Sequence, residues 1–89
     1  MLCMGLSACA GAPVQEMSNA RQAIKAARDA TGPAAPASLI EAESLLNSAE
    51  DNLQKRAYKQ ARRDAIAARG KAAEALSSTR TVDDRNGAS

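Results

Sequence analysis

The sequence predicts an all-α fold: a small three-helix domain. Three observations carry this reading. Residues 38–76 are dominated by Leu, Ala, Glu, Gln, Lys and Arg, all good helix formers. Apolar residues recur there at helical spacing, but in two stripes that are out of phase. Residues 31–37, TGPAAPA, form a strong helix boundary upstream. Strands have little support, because β-branched and aromatic residues are scarce.

The stripes define the second and third helices. Leu39, Ala42, Leu46, Ala49 and Leu53 form one; Ala57, Ala61, Ala65, Ala68, Ala72 and Ala75 form the other. Each helical residue advances ~100°, so with Ala42 at zero, Leu46 lies at ~+40° and Ala49 at ~−20°. On that count Ala61 lies at ~+100° and Ala65 at ~+140°. The apolar face therefore jumps by roughly a quarter turn around Arg56. A turn at residues 55–58 would bring both stripes together as a helix 2–helix 3 hairpin. The alternative is one fused long helix whose stripe winds round a partner. No Gly or Pro marks the turn.

Taken in order, residues 1–8 read as the end of a signal peptide and residues 9–16 as a flexible tether. The helical domain covers residues 17–77, with helices at about 17–30, 39–55 and 57–77. Ser18 or Asn19 is expected to cap the first. Ala20, Ala23, Ile24 and Ala27 share its apolar face, with Met17 at the edge. Lys25 and Asp29 are spaced to pair on its surface. Gly32 can supply a left-handed helix end, and Pro33 blocks continuation. Ser38 is the expected cap of the second helix, with Glu41 as its capping-box partner. Gly70 falls on the solvent face of the third helix, at a cost of roughly 1 kcal/mol against alanine. Residues 78–89, STRTVDDRNGAS, lack apolar periodicity and are expected to be a disordered tail.

Composition limits the chemistry. The chain has 89 residues, no Trp or Phe and one Tyr, so its core is small and mainly alanine. Its formal charge of +2 is a mixture of both signs rather than a strong field. Histidine, the usual base of hydrolases, is absent. Of the helical carboxylates, Glu41 and Glu43 are two apart and Glu50 and Asp51 adjacent, so neither pair shares a helix face. No glycine-rich phosphate loop occurs. The expectation is a non-enzyme without metal or cofactor. Tyr58 is expected to be a core aromatic closing the hairpin, on the same flank of the third helix as Leu76, with its hydroxyl at the rim; Leu46, Leu53 and Ala61 are the other structural candidates. Lys55, Arg56, Lys59, Arg62 and Arg63 are the candidates for contact with an anionic surface. Nucleic acid is not expected as a partner: Asp64 interrupts the run and no aromatic set exists for stacking.

The N-terminus reads MLCMGLSACAGA. Leu6–Ser7–Ala8–Cys9 resembles the lipobox of bacterial lipoproteins. The resemblance implies cleavage between Ala8 and Cys9 and a thioether-linked lipid on Cys9. No basic residue precedes Arg21, so the start of such a signal would lie upstream of Met1. A greasy N-terminus that happens to hold cysteine is the alternative. A Cys3–Cys9 disulfide would staple only a chain end to itself. Ala10 follows the cysteine; by resemblance, the lack of Asp there implies sorting to the periplasmic face of the outer membrane.

Ala20, Arg21, Ala23 and Ile24 match an AR-x-A-I pattern; Ala35, Pro36 and Leu39 match A-P-x-x-L; Ala49 with Leu53, and Tyr58 with Ala61 and Arg62, match A-x-x-x-L and Y-x-x-A-R. In these the chain resembles the DUF4398 family of small alanine-rich helical envelope lipoproteins. Family members usually carry Gly two residues before that Tyr, where Arg56 stands here. The resemblance implies a cell-envelope location and no established activity. Together these readings give a lipid-anchored structural or adaptor module. It would contact membrane lipid through Cys9, and another envelope protein or a second copy through its helix faces. A soluble or periplasmic helical partner-binding protein is the alternative.

Overall fold

The computed structural model describes residues 12–88, with side chains described through Ser78. Three helices follow one another: α1 (Val14–Thr31), α2 (Ala37–Gln54) and α3 (Tyr58–Ala88). The hairpin reading holds, and the fused helix does not: α2 and α3 are separate. Cross-helix pairs fix the topology. Arg21 lies 3.2 Å from Glu50, and Arg28 meets Glu43, so α1 and α2 are antiparallel. Lys71 lies 3.5 Å from Glu41, which sets α3 antiparallel to α2. Arg62 lies 3.4 Å from Glu16, so α3 runs parallel to α1. The result is an up-down-up bundle in which α3 packs against both other helices, while α1 and α2 touch only lightly.

The core is a spine of small residues on α3 under larger side chains from α1 and α2. Ala61, Ala65, Ala68, Ala72 and Ala75 are all fully buried. Met17, Ala20, Ile24 and Ala27 of α1 and Leu39, Ala42 and Ala49 of α2 cover them, with Leu45 and Leu46 at the margin. Met17 is at the centre of this packing rather than at its edge. Both predicted stripes are therefore the buried faces, with Leu46, Leu53 and Ala57 half-buried at their limits.

Two helix starts differ from expectation, for the same reason. The residue before α1 is Pro13, whose carbonyl accepts from Met17 N–H at 3.0 Å; the residue before α2 is Pro36, whose carbonyl accepts from Leu39 and Ile40 N–H at 3.0 and 3.3 Å. Neither helix has a side-chain cap. Ser18, Asn19 and Ser38 thus lie inside the helices instead of capping them, and Glu41 closes no capping box. Proline's restricted φ suits the non-helical residue that precedes a helix, and with proline there the first free N–H groups go without a side-chain acceptor. Gly32 ends α1 at φ 62°, as the glycine predicted. Its ψ of −142° lies outside the left-handed helical region, in backbone space open essentially to glycine alone.

The α2–α3 turn carries a Schellman motif. Ala57 N–H donates to Asn52 O at 2.8 Å, and Arg56 N–H to Leu53 O at 3.0 Å. The residue that must go left-handed is Arg56, at φ 64°. Glycine is the usual occupant of that position, since it has no Cβ to crowd the following carbonyl.

α3 continues well past the predicted end at Ser77. Its backbone is helical to Ala88, where a disordered tail was expected. Residues 71–86 contain neither Gly nor Pro, so nothing in the local chemistry stops the helix. Apolar periodicity reports burial rather than backbone conformation, so its loss at Ser78 did not mark the end of the helix.

Two expected outcomes test this description. Arg56→Gly should raise stability by about 0.5–1 kcal/mol, the left-handed penalty less glycine's greater unfolded-chain freedom. A lower urea midpoint would contradict the turn geometry. Ala68→Leu should cost about 1–3 kcal/mol by overpacking, while the same change at exposed Ala67 should be close to neutral. Equal melting temperatures for the two leucine variants would mean that the alanine spine is not the buried face.

Candidate functional site

The predicted lipidation and cleavage residues, Cys9 and Ala8, lie outside the described residues, as does Cys3. Other candidates fall into three places on the bundle.

The first is a polar cluster set within the apolar stripe of α3. Asp64 is buried, only 8% exposed, among the alanines of α3. Ser48 Oγ and Asn52 Nδ2 of α2 donate to its Oδ2 at 2.7 and 2.9 Å, and Gln60 Nε2 of α3 donates to Oδ1 at 3.0 Å. Ser48 and Asn52 are one helical turn apart, so both reach the same oxygen. Neutral donors thus satisfy this carboxylate, and among the described residues it has no ion-pair partner. Its sequence position was informative: Asp64 lies three residues after Ala61 and four before Ala68, within the buried stripe. With both oxygens engaged by donors that hold the hairpin together, the cluster serves structure.

The second place is the turn end of the bundle, which gathers Lys55, Arg56, Lys59, Arg62 and Arg63. The structure divides these five. Lys55 Nζ lies 2.9 Å from Asp51, and Arg62 Nε 3.4 Å from Glu16. Arg56, Lys59 and Arg63 are exposed and have no carboxylate partner among the described residues. Lys59 and Arg63 are four apart and so occupy one line on the outer face of α3. Tyr58 begins α3 at this end and is half-buried, as is Leu53, while Ala61 is fully buried.

The third is an open groove along α1 and α3, walled by Glu16 and Asn19 on one side and by Ile66, Arg69, Gly70 and Ala73 on the other. Ile66 is 56% exposed, and a Cβ built on Gly70 would meet nothing within 4 Å. Gly70 is therefore not required by packing inside the bundle. It leaves the outer face of α3 low beside Ile66. Leu46 lies at a second, more polar groove with Arg21, Arg28 and Glu43. Among the described residues, no three metal-ligating side chains cluster together.

Asp64→Ala should lower stability by about 1–2 kcal/mol, since hydrogen bonds to a charged acceptor are worth more than neutral ones, although exposed Ser48 and Gln60 can turn to water and only half-buried Asn52 loses a partner it cannot readily replace. Ser48→Ala should cost less, because Asp64 keeps two of its donors, and the two substitutions should be non-additive in a double-mutant cycle. Additive urea midpoints would place Ser48 outside the cluster. No family model matches this chain, and no curated protein or solved structure was found to be similar to it.

Proposed function

We propose that this chain is a non-catalytic lipoprotein of the bacterial cell envelope, held by a lipid on Cys9 and acting as a structural or adaptor module through its helix faces. The observation that carries the reading is the position of Leu6–Ser7–Ala8–Cys9 immediately before the bundle. Cys9 is four residues from Pro13, after which α1 begins. Even fully extended, four residues span at most ~14 Å. A lipid on Cys9 would hold the turn end of the bundle close to the membrane surface.

The helices are poor anchors by themselves. Among the described residues, no helix is long and apolar enough to cross a membrane. Their outer faces mix charge with alanine, which gives a bilayer little apolar area. Acyl chains on Cys9 would supply that anchorage at ~0.8 kcal/mol per buried methylene. The exposed Ile66–Gly70–Ala73 line suits a protein partner, because small residues let an opposing helix approach closely. Location at the periplasmic face of the outer membrane and membership of the DUF4398 family rest on the sequence resemblances.

The test is the mass of the N-terminal peptide from protein made in its native host. The expected peptide begins at Cys9 and carries the added mass of a lipid. Cys9→Ser should lose that mass, since a hydroxyl cannot form the thioether. An unmodified Cys9 peptide, or an intact segment from Met1 to Ala8, would overturn the lipoprotein reading in favour of a soluble helical partner-binding protein.

A further inference from the structure

The turn end of the bundle carries cations without carboxylate partners, and it is also the end at which the chain enters α1. The geometry points to a second, electrostatic membrane contact there: Arg56, Lys59 and Arg63 bind the head groups of anionic phospholipid. This goes beyond the proposed lipid anchor and does not require it, although it rests on the same membrane location.

Five observations converge on this end. Arg56 projects from the turn, where its positive φ holds it outside both helices. Lys59 and Arg63 follow on the outward line of α3. The nearby carboxylates do not neutralise them: Asp51 pairs with Lys55, Glu16 pairs with Arg62, and Asp64 is buried under its own donors. Val14, 69% exposed, adds an apolar side chain at the first residue of α1. The N-termini of α1 and α3 also lie at this end; they outnumber the C-terminus of α2 there, so the helix dipoles leave a smaller net positive contribution. The opposite end differs. There Lys25 pairs with Asp29, Arg28 with Glu43, and Lys71 with both Glu41 and Glu74.

Long cationic side chains can lay their methylenes along the bundle while the head groups reach lipid phosphates. A diffuse set of three exposed cations fits a charged surface better than a single small anion. Nucleic acid would require stacking groups, and half-buried Tyr58 is the only aromatic residue in the chain.

The experiment uses the full chain with Cys9→Ser, so that no thioether can form. Flotation is measured with phosphatidylcholine vesicles with and without phosphatidylglycerol, and the readout is the anionic-to-neutral binding ratio. That ratio removes any apolar contribution from the N-terminal residues. The chain should bind anionic vesicles preferentially, and added salt should abolish the preference. Lys59→Gln with Arg63→Gln should lower binding about 25-fold, at about fivefold per charge. Adding Arg56→Gln should take the loss to about 100-fold. The double variant leaves the turn residue intact, so it reads charge even if the triple variant misfolds. Lys25→Gln with Lys71→Gln changes net charge equally at the other end and should leave the ratio within about twofold of the parent.

Equal loss in the two double variants would overturn the proposal, as would a ratio near one for the parent. Displacement by millimolar inorganic phosphate at matched ionic strength would replace it with a discrete phosphate site. Tighter binding to a single-stranded oligonucleotide than to vesicles would replace it with nucleic-acid binding. Because Cys9 is blocked throughout, failure here leaves the lipid-anchor proposal standing, and an unmodified Cys9 in the native host leaves this one standing.

Discussion

The bundle depends on how closely α3 can lie against its two neighbours. Its buried face is alanine from Ala61 to Ala75, apart from Asp64. Alanine loses no side-chain entropy on burial, but it removes little area from water. The larger apolar side chains therefore come from the other helices, with Met17 and Ile24 from α1 and Leu39 from α2. They fill the space above a flat ridge rather than interlocking with side chains of their own size. Such packing leaves no room for an added methylene at the ridge, and its small apolar area makes for a modestly stable domain.

A ridge of like residues has a second consequence. Sliding α3 along α2 by one turn would put alanine where alanine had been, so apolar packing alone discriminates weakly between registers. Polar groups supply the distinction. Asp64 meets Ser48 and Asn52 only in the observed alignment, and Lys71 meets Glu41 in the same one. The exposed ion pairs add little energy individually. The buried carboxylate matters more, because a shifted register would take away the two α2 donors to its Oδ2 and leave only Gln60 of its own helix.

Much of this architecture was legible in the sequence. Gly32 and Pro33 marked the first boundary through backbone chemistry that few other residues share. The phase jump at Arg56 located the second, although neither Gly nor Pro stood there, because facing stripes require a turn. The misreadings have separate physical causes. Ser18 and Ser38 have the right side chains for caps, but Pro13 and Pro36 had already begun the helices. Asp64 was read only as an interruption of the basic run, because residue type weighed more than its place between Ala61 and Ala68. The helix beyond Ser77 was missed because the reading relied on apolar periodicity, which residues 78–89 lack. At the turn end, the cationic set was readable, and so was the i,i+4 spacing of Asp51 and Lys55, but the pairing of Arg62 was not, since its partner Glu16 is distant in sequence. Cys9 remains a reading of sequence motif alone.

An odd number of antiparallel helices separates the two ends of a chain. The polypeptide enters α1 at the turn end and leaves α3 pointing the opposite way. α3 has 31 residues against 18 in each neighbour. At ~1.5 Å per residue it is ~46 Å long and outruns them by roughly 20 Å. The fold is thus a directional strut: whatever is joined beyond α3 stands off from whatever is held at α1. A helix added to or removed from the order would bring both attachments to the same side.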